Sequence, residues 1–314
     1  MLFRDNGYIS CMGEILIDMV QGNKERKIFE AHPGGAPANV AVGISRLGGK
    51  AAFMGKVGND RLGDFLVETL KKDNINVNGL KCGGKTGMAL VSLDEKGERS
   101  FDFYEKLIAY CELDVDTKIL DESCIFHFGS ISLIDKSERL ATIKCLEASK
   151  DRNITISYDP NLRLNLWPNL DLAREGIRLG LTYADVLKMA EDELEFLTGE
   201  TDIDKGIKKL YDINPDLKLI AITRGSEGSY CWYQKKGKAI PTMKVDVIDT
   251  TGAGDGFMAG LLYSIQKNGG LEKMDRDCIE NAIKLANTVG SITTTKKGAI
   301  SALPDMEQVK QFQC

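Results

Sequence analysis

The stretch Asp249-Thr250-Thr251-Gly252-Ala253-Gly254-Asp255-Gly256-Phe257-Met258-Ala259-Gly260-Leu261-Leu262 decides how this chain is read. Before it, Val245-Asp246-Val247-Ile248 alternates like the end of a strand; after it, the residues from Phe257 to Ile265 carry apolar side chains at helical spacing. The glycines therefore fall where a helix begins. First-turn N–H groups of a helix lack intrahelical partners, and glycine lets foreign oxygens approach them without a Cβ in the way. An anion suits that place. Asp255 is the one ionisable side chain inside the turn, and a carboxylate beside a ring of amide donors suggests a base next to an oxyanion site. Glycine and Asp at a helix start are also ordinary capping chemistry, but three glycines alternating within five residues are more than a cap requires.

Moving outward, the chain alternates strand and helix. Strands are expected at 8–12, 51–57, 124–128, 154–158, 185–189 and 217–223, and helices at 62–70, 137–150, 170–179 and 277–294. Such βαβ alternation implies a parallel sheet. Residues 14–20 read as a second extended segment in which Asp18 lies just past a strand end, where ligands of α/β proteins gather; an exposed turn carboxylate is the alternative. Pro33-Gly34-Gly35-Ala36-Pro37-Ala38-Asn39 then opens a small-residue helix that ends at Gly48-Gly49. Its paired glycines and the Asn39 amide offer a second ligand face with little bulk. Asp159-Pro160-Asn161-Leu162-Arg163 follows another strand end, placing Arg163 to meet a sugar oxygen or a phosphate, or to serve a structural ion pair. Thr223-Arg224-Gly225-Ser226-Glu227-Gly228 is a glycine-containing turn after a further strand.

Two short matches mislead. Residues 79–86, Gly79-Leu80-Lys81-Cys82-Gly83-Gly84-Lys85-Thr86, satisfy GxxxxGK[ST], yet a phosphate loop must leave a buried strand and open a helix. Here 74–78 is largely polar and 87–93 is strand-like. Residues 87–93 and 99–104 instead read as a hairpin around 94–97, with Phe101 and Phe103 on one apolar face; the charged 24–30 region suits another hairpin. Gly254 to Ala259 satisfies GxGxxA, but the sixty-odd residues that follow are mostly helical and too few for a dinucleotide fold.

Composition sets the outer bounds. The 314 residues are near the upper size for one hydrophobic core, so one large domain with a smaller appended piece is expected. A net charge of -5 gives no general reason to expect nucleic acid or an anionic membrane as partner. The eight cysteines are scattered with no CxxC pair, which favours reduced thiols and a cytoplasmic setting. No apolar run resembles a secretory leader or approaches membrane-spanning length. With only His32 and His127, a histidine-rich metal site is excluded, and His127 reads as a core or pocket-wall residue.

The longer motifs carry a resemblance. Gly34-Gly35-Ala36-Pro37-Ala38-Asn39 with Gly55-Lys56-Val57-Gly58-Asn59-Asp60, and then residues 249–262, resemble the two signatures of the ribokinase-like (PfkB) family of sugar kinases. Asp159-Pro160-Asn161-Leu162-Arg163 with Leu166-Trp167, Phe126-His127-Phe128-Gly129-Ser130 and Gly97-Glu98-Arg99-Ser100-Phe101 are most similar to its fructokinase branch. The resemblance implies an α/β fold: a Rossmann-like three-layer core at 1–13, 34–84 and 108–314, with a small β-sheet lid at 14–33 and 85–107. It implies Asp255 as catalytic base, the N–H groups of Gly252, Ala253 and Gly254 as anion hole, and Asp18, Gly34, Gly35 and Asn39 at the sugar, with Phe101, Phe103 and Arg163 lining its pocket. It places Lys188, Glu193, Thr223, Gly225, Gly228 and Asn287 at the nucleotide, and Asp249, Thr251 and Gly298 at a monovalent cation. Two positions depart from the family pattern: an NxxE motif linked to magnesium reads Ala190-Glu191-Asp192-Glu193, and Arg224 stands where Leu is usual.

The expected activity follows from that resemblance. Asp255 would take the proton of a primary sugar hydroxyl as it attacks the γ-phosphate of ATP, with Mg²⁺ and K⁺ as ions and fructose as the leading acceptor. The helix N-terminus is expected to lower the Asp255 pKa. Rival readings are a kinase of 2-keto-3-deoxygluconate, ribose or a nucleoside, and a sugar sensor without catalysis. A β lid can close as a flap or pair across a homodimer, and the sequence leaves these equal.

Overall fold

The computed structural model describes residues 3–5, 7–23, 28–93, 99–105 and 109–313; within these, the side chains of 21–23, 91–93, 99–105 and 313 are outside the description. The strands are β1 (Tyr8–Met12), β2 (Leu16–Asn23), β3 (Ile28–Gly34), β4 (Ala51–Val57), β5 (Asn76–Cys82), β6 (Met88–Leu93) and β7 (Arg99–Glu105). They continue as β8 (Ser123–Gly129), β9 (Thr155–Asp159), β10 (Val186–Ala190), β11 (Leu219–Thr223), β12 (Ser229–Tyr233) and β13 (Lys236–Ile240). The helices are α1 (Ala36–Arg46), α2 (Arg61–Lys72), α3 (Lys136–Asp151), α4 (Leu170–Leu181) and α5 (Glu191–Thr198). After them come α6 (Ile203–Ile213), α7 (Ala253–Lys267), α8 (Arg276–Thr293) and α9 (Met306–Gln313).

Nine strands form one sheet in the order β13-β12-β11-β10-β9-β8-β1-β4-β5. From β5 to β11 every neighbouring pair is parallel. Parallel pairs need crossovers, and helices supply them, so the central strands are covered on both faces and every residue of β8 is buried. Side-chain alternation separates the layers. Ile9, Cys11 and Ile125 pack with α1, α7 and α8 in one apolar cluster, whereas Met12, Phe126 and Phe128 pack with α3 and α4 in the other. The result is the expected three-layer α/β core, with β12 and β13 added as an antiparallel edge that the sequence reading did not foresee.

A second, four-stranded sheet runs β3-β2-β6-β7, leaving the core after β1 and returning at α1. The hairpin of β6 and β7 is antiparallel as read from alternation. The turn residues expected at 94–97 and the charged residues 24–27 lie outside the described residues.

Two local readings are corrected, and the rejection of 79–86 as a phosphate loop is borne out. Residues 245–248 are not a strand: nothing pairs with them, Val247 and Ile248 are more than half exposed, and Ile248 and Asp249 donate their N–H groups to the Thr294 carbonyl instead. The polar 74–78 region does enter a strand, β5, tolerated because it sits at the edge of the sheet. The stretch 79–86 has no helix after it; it runs from β5 to β6, and the buried Thr86 hydroxyl bonds Asp60 at 2.6 Å, so it is no phosphate loop. Among the described residues no helix is long and apolar enough to cross a membrane.

The glycines of α7 also serve packing. A Cβ on Gly260 would lie 2.9 Å from the Cα of Ala286, and one on Gly256 would lie 2.6 Å from the Thr293 hydroxyl, so α7 and α8 meet at backbone distance. Backbone cannot retreat as a side chain can. Gly260→Val is therefore expected to lower unfolding free energy by about 1–3 kcal/mol despite removing a helical glycine, which urea titration would measure.

Candidate active site

The carboxyl ends of the parallel strands converge on the first turn of α7, the place where ligands bind in open α/β sheets. Gly252 caps that helix in the left-handed region at φ 77°, with a Cβ there lying only 2.9 Å from the Cβ of Ala299, so a side chain is excluded twice over. Of the three N–H groups expected to form the anion hole, that of Ala253 is used internally, donating to the Thr250 carbonyl at 3.2 Å. Those of Gly252, Gly254 and Asp255 make no hydrogen bond among the described residues.

Asp255 is 7% exposed, and the Asn39 side-chain amide donates to its Oδ2 at 2.7 Å. Asn39 sits in the first turn of α1, whose start depends on Gly35 at φ 113°, where a side chain would collide with the Glu14 carbonyl. The amide oxygen of Asn39 is buried with no partner among the described residues, which suits a hydroxyl donor. The Asp255 pKa is raised to about 6, against the expected lowering by the helix N-terminus. Burial is the largest cause; the Asn39 bond and the charges of Lys188 and Arg163 pull it back, while Asp159 adds to the rise. Desolvation outweighs the dipole because the carboxylate is shut away from water.

Opposite Asp255 stands a buried cation. The Lys188 ammonium lies 2.9 Å from where a Cβ of Gly254 would be, and it donates to both oxygens of Asp159, at 2.9 and 3.1 Å. Burial would lower its pKa, but Asp159, Glu193 and Asp255 hold it above the ordinary value, so it is charged. Glu193 spends both oxygens on backbone: Oε2 accepts from Ala190 at 2.8 Å and Oε1 from Leu162 at 2.6 Å. The carboxylate thus caps α5 where the family's Asn is missing and fastens the loop that carries Arg163. Arg163 is exposed and joins no ion pair among the described residues. Its charge is felt by both Asp255 and Glu14.

Of the residues expected at the sugar, Asp18 of β2 lies against Gly34 of β3, so close that a side chain at Gly34 would strike its carboxylate. The roles expected of the Phe101 and Phe103 side chains lie outside the described residues. Of the residues expected at the nucleotide, Thr223 ends β11 and Gly225 stands at φ 52° in open space, whereas a side chain at Gly228 would hit the Ile240 carbonyl. Asn287 uses its amide on the carbonyls of Ile240 and Pro241, at 3.0 and 3.3 Å, and so holds the segment after β13 in place. Arg224 is tied to Glu191 and Glu227 at 3.0 and 2.5 Å, which accounts for a cation where Leu is usual. Asp249 is buried and accepts from the N–H of Thr251 at 2.9 Å and of Gly298 at 2.7 Å, joining the two loops behind the donor ring. His127 is core: it bonds Ser157 at 3.1 Å, and burial lowers its pKa to about 4.

Sequence reading missed Asp159, Glu14 and Glu138. Asp159 carried a signal, as a carboxylate at a strand end inside a quoted motif. Glu138 carried none, since a Glu in the first turn of an amphipathic helix reads as exposed; here burial pushes its pKa up to about 8.

Residues 6–306 match the pattern of the pfkB family carbohydrate kinase. The chain belongs to that family. It is 42% identical over 322 residues to probable fructokinase-6, chloroplastic, of Arabidopsis thaliana, covering 98% of this chain and 83% of the relative. It is 41% identical over 313 residues to fructokinase-1 of Zea mays, covering 96% and 95%. Among solved structures, a double mutant of fructokinase from Vibrio cholerae O395 bound to fructose, ADP and potassium ion superposes with a TM-score of 0.89 at 32% identity, covering 98% of each chain. The chain is a carbohydrate kinase, and its geometry gathers around one point a buried carboxylate, helix-start N–H groups unpaired among the described residues and a buried cation.

The ionisation of Asp255 sets a measurable profile. Its proton must be absent for it to accept another, so kcat/KM is expected to rise with pH through an apparent pKa near 6. Asn39→Ala removes a bond that favours the charged form and is expected to move this limb to higher pH, which initial rates from pH 5 to 8 would read.

Proposed function

We propose that this carbohydrate kinase is a fructokinase that transfers the γ-phosphate of ATP to the primary hydroxyl of fructose, giving fructose 6-phosphate. The observation that carries the reading is the Asp255 carboxylate, buried and held by Asn39, beside unpaired helix-start N–H groups and the Lys188 ammonium. Asp255 accepts the hydroxyl proton as the sugar oxygen bonds to the γ-phosphorus and the bond to ADP breaks. A pKa near 6 leaves the carboxylate ionised at neutral pH and a better base than an exposed Asp. Charge on the transferring phosphoryl group meets the N–H groups of Gly252, Gly254 and Asp255 and the ammonium of Lys188. Lys188 takes up part of the role left by the absent Asn at position 190.

Among the described residues no group of three or more His, Cys, Asp or Glu could hold a metal. Mg²⁺ is assigned to the substrate as MgATP, held chiefly by phosphates and water. The buried Asp249 with the loops at Thr251 and Gly298 offers the hard oxygen chemistry that suits K⁺, which would offset buried negative charge behind the donor ring. Residues 14–33 and 85–107 are assigned as a lid over the sugar, excluding water from the transfer, and the remainder as the core. Asp18, Gly34, Gly35, Asn39 and Arg163 are assigned to the sugar; Thr223, Gly225, Gly228 and Asn287 border the nucleotide.

The test is ADP release with MgATP across fructose, ribose, 2-keto-3-deoxygluconate, adenosine and glucose, with and without K⁺. Fructose is expected to give the highest kcat/KM; another sugar in first place would overturn the substrate, and silence on all would overturn the kinase. Asp255→Asn is expected to lower kcat by about 10²–10⁴-fold with sugar binding retained by calorimetry. Lys188→Met is expected to lower kcat by about 10²–10³-fold, the scale of losing one preorganised transition-state donor.

A further inference from the structure

Glu14 has no part in the chemistry above, yet it stands where the four-stranded sheet joins the core. The chain leaves the core through Gly13, Glu14 and Ile15 and returns through Gly34, Gly35 and Ala36, and these two crossings touch along their length. Gly13, at φ 147°, packs where a Cβ would lie 2.7 Å from Pro37 Cγ, and Gly35 packs on the Glu14 carbonyl. Glu14 Oε1 accepts the N–H of Ala36 at 2.9 Å, joining the crossings by a side chain. Ala36 is the first residue of α1, and Asn39, which holds Asp255, is in the same turn.

We propose that Glu14 is a positioning residue: its bond to Ala36 latches the two crossings together, fixes the first turn of α1, and through Asn39 holds Asp255 in register with the sugar bound by the four-stranded sheet. This rests on the reading of that sheet as the sugar-side lid. Three charged groups face Glu14, namely Asp255, Arg163 and Glu138, with Asp135 behind Glu138. Burial pushes the Glu14 carboxyl up to about 7; its own amide, the Ala36 amide and Arg163 oppose the rise, and Asp255 adds to it. The acceptor oxygen serves the latch in either protonation state, so an amide can replace it.

The latch separates three variants. Glu14→Gln keeps the acceptor, Glu14→Ala removes it, and Ala36→Pro removes the donor while leaving Glu14 in place. Proline is favoured at a first helical position, which protects the fold in the last case. Steady-state kinetics on the wild-type enzyme's best sugar would give KM for sugar and for ATP, with the acid limb of kcat/KM. Glu14→Ala and Ala36→Pro are expected to raise the sugar KM roughly tenfold, the scale of one lost buried hydrogen bond, with ATP KM little changed and the acid limb moved to higher pH. Glu14→Gln is expected to stay near wild type in all three. Equal rises in both KM values with an unmoved limb would mark a merely structural residue and overturn the proposal, as would a Glu14→Gln variant as impaired as Glu14→Ala. A wild type that prefers another sugar would revise the substrate alone and leave this comparison intact.

Discussion

Burying a carboxylate beside a helix start is the constraint on which the rest of this structure depends. Removed from water, Asp255 is costly to ionise, and the protein meets the cost with an amide from Asn39 and with the charges of Lys188 and Arg163. Each of those partners comes from a different part of the chain: α1, the middle of β10 and the loop after β9. Only a sheet whose strand ends converge brings them to one point. The fold is therefore an arrangement for holding one charge in a dry place.

The same site is unbalanced by design of its residues. Lys188 faces Asp159, Glu193 and Asp255, so one buried cation meets three buried carboxyl groups, two of which have raised pKa values. A surplus of buried negative charge around the point of phosphoryl transfer favours the entry of cations with the substrate. Glu193 softens the conflict by taking two backbone N–H bonds, and in doing so ties α5 to the loop of Arg163. Residues that look redundant as ligands are thus fasteners for those that act.

Much of this was legible in the sequence, and particular residues show why. The glycines at 252 and 254 marked a helix start open to an anion: Gly252 holds a left-handed φ, and a Cβ at Gly254 would lie 2.9 Å from the Lys188 ammonium. Asp255 and Asn39 were found from their place in such turns. Tertiary packing decided what they do to one another: that Asn39 bonds Asp255, that the Ala253 N–H is spent on Thr250, and that burial reverses the expected pKa shift. The false strand at 245–248 and the missed hairpin of β12 and β13 have one cause, since alternation reports a side-chain pattern and not whether a partner strand is present.

By itself the sequence determined the α/β class, the order of the central strands and helices along the chain and the position of the two glycine-rich helix starts, and it singled out Asp255 as the candidate base. These are local properties, set by periodicity of apolar residues and by the conformations that glycine alone allows. The tertiary structure alone decided which side chains share the site, how Lys188 is held, why Glu193 binds backbone and where Glu14 latches the two sheets' junction. Those facts depend on distances between residues far apart in the chain, and on burial, which converts ordinary carboxylates into groups that titrate near neutrality.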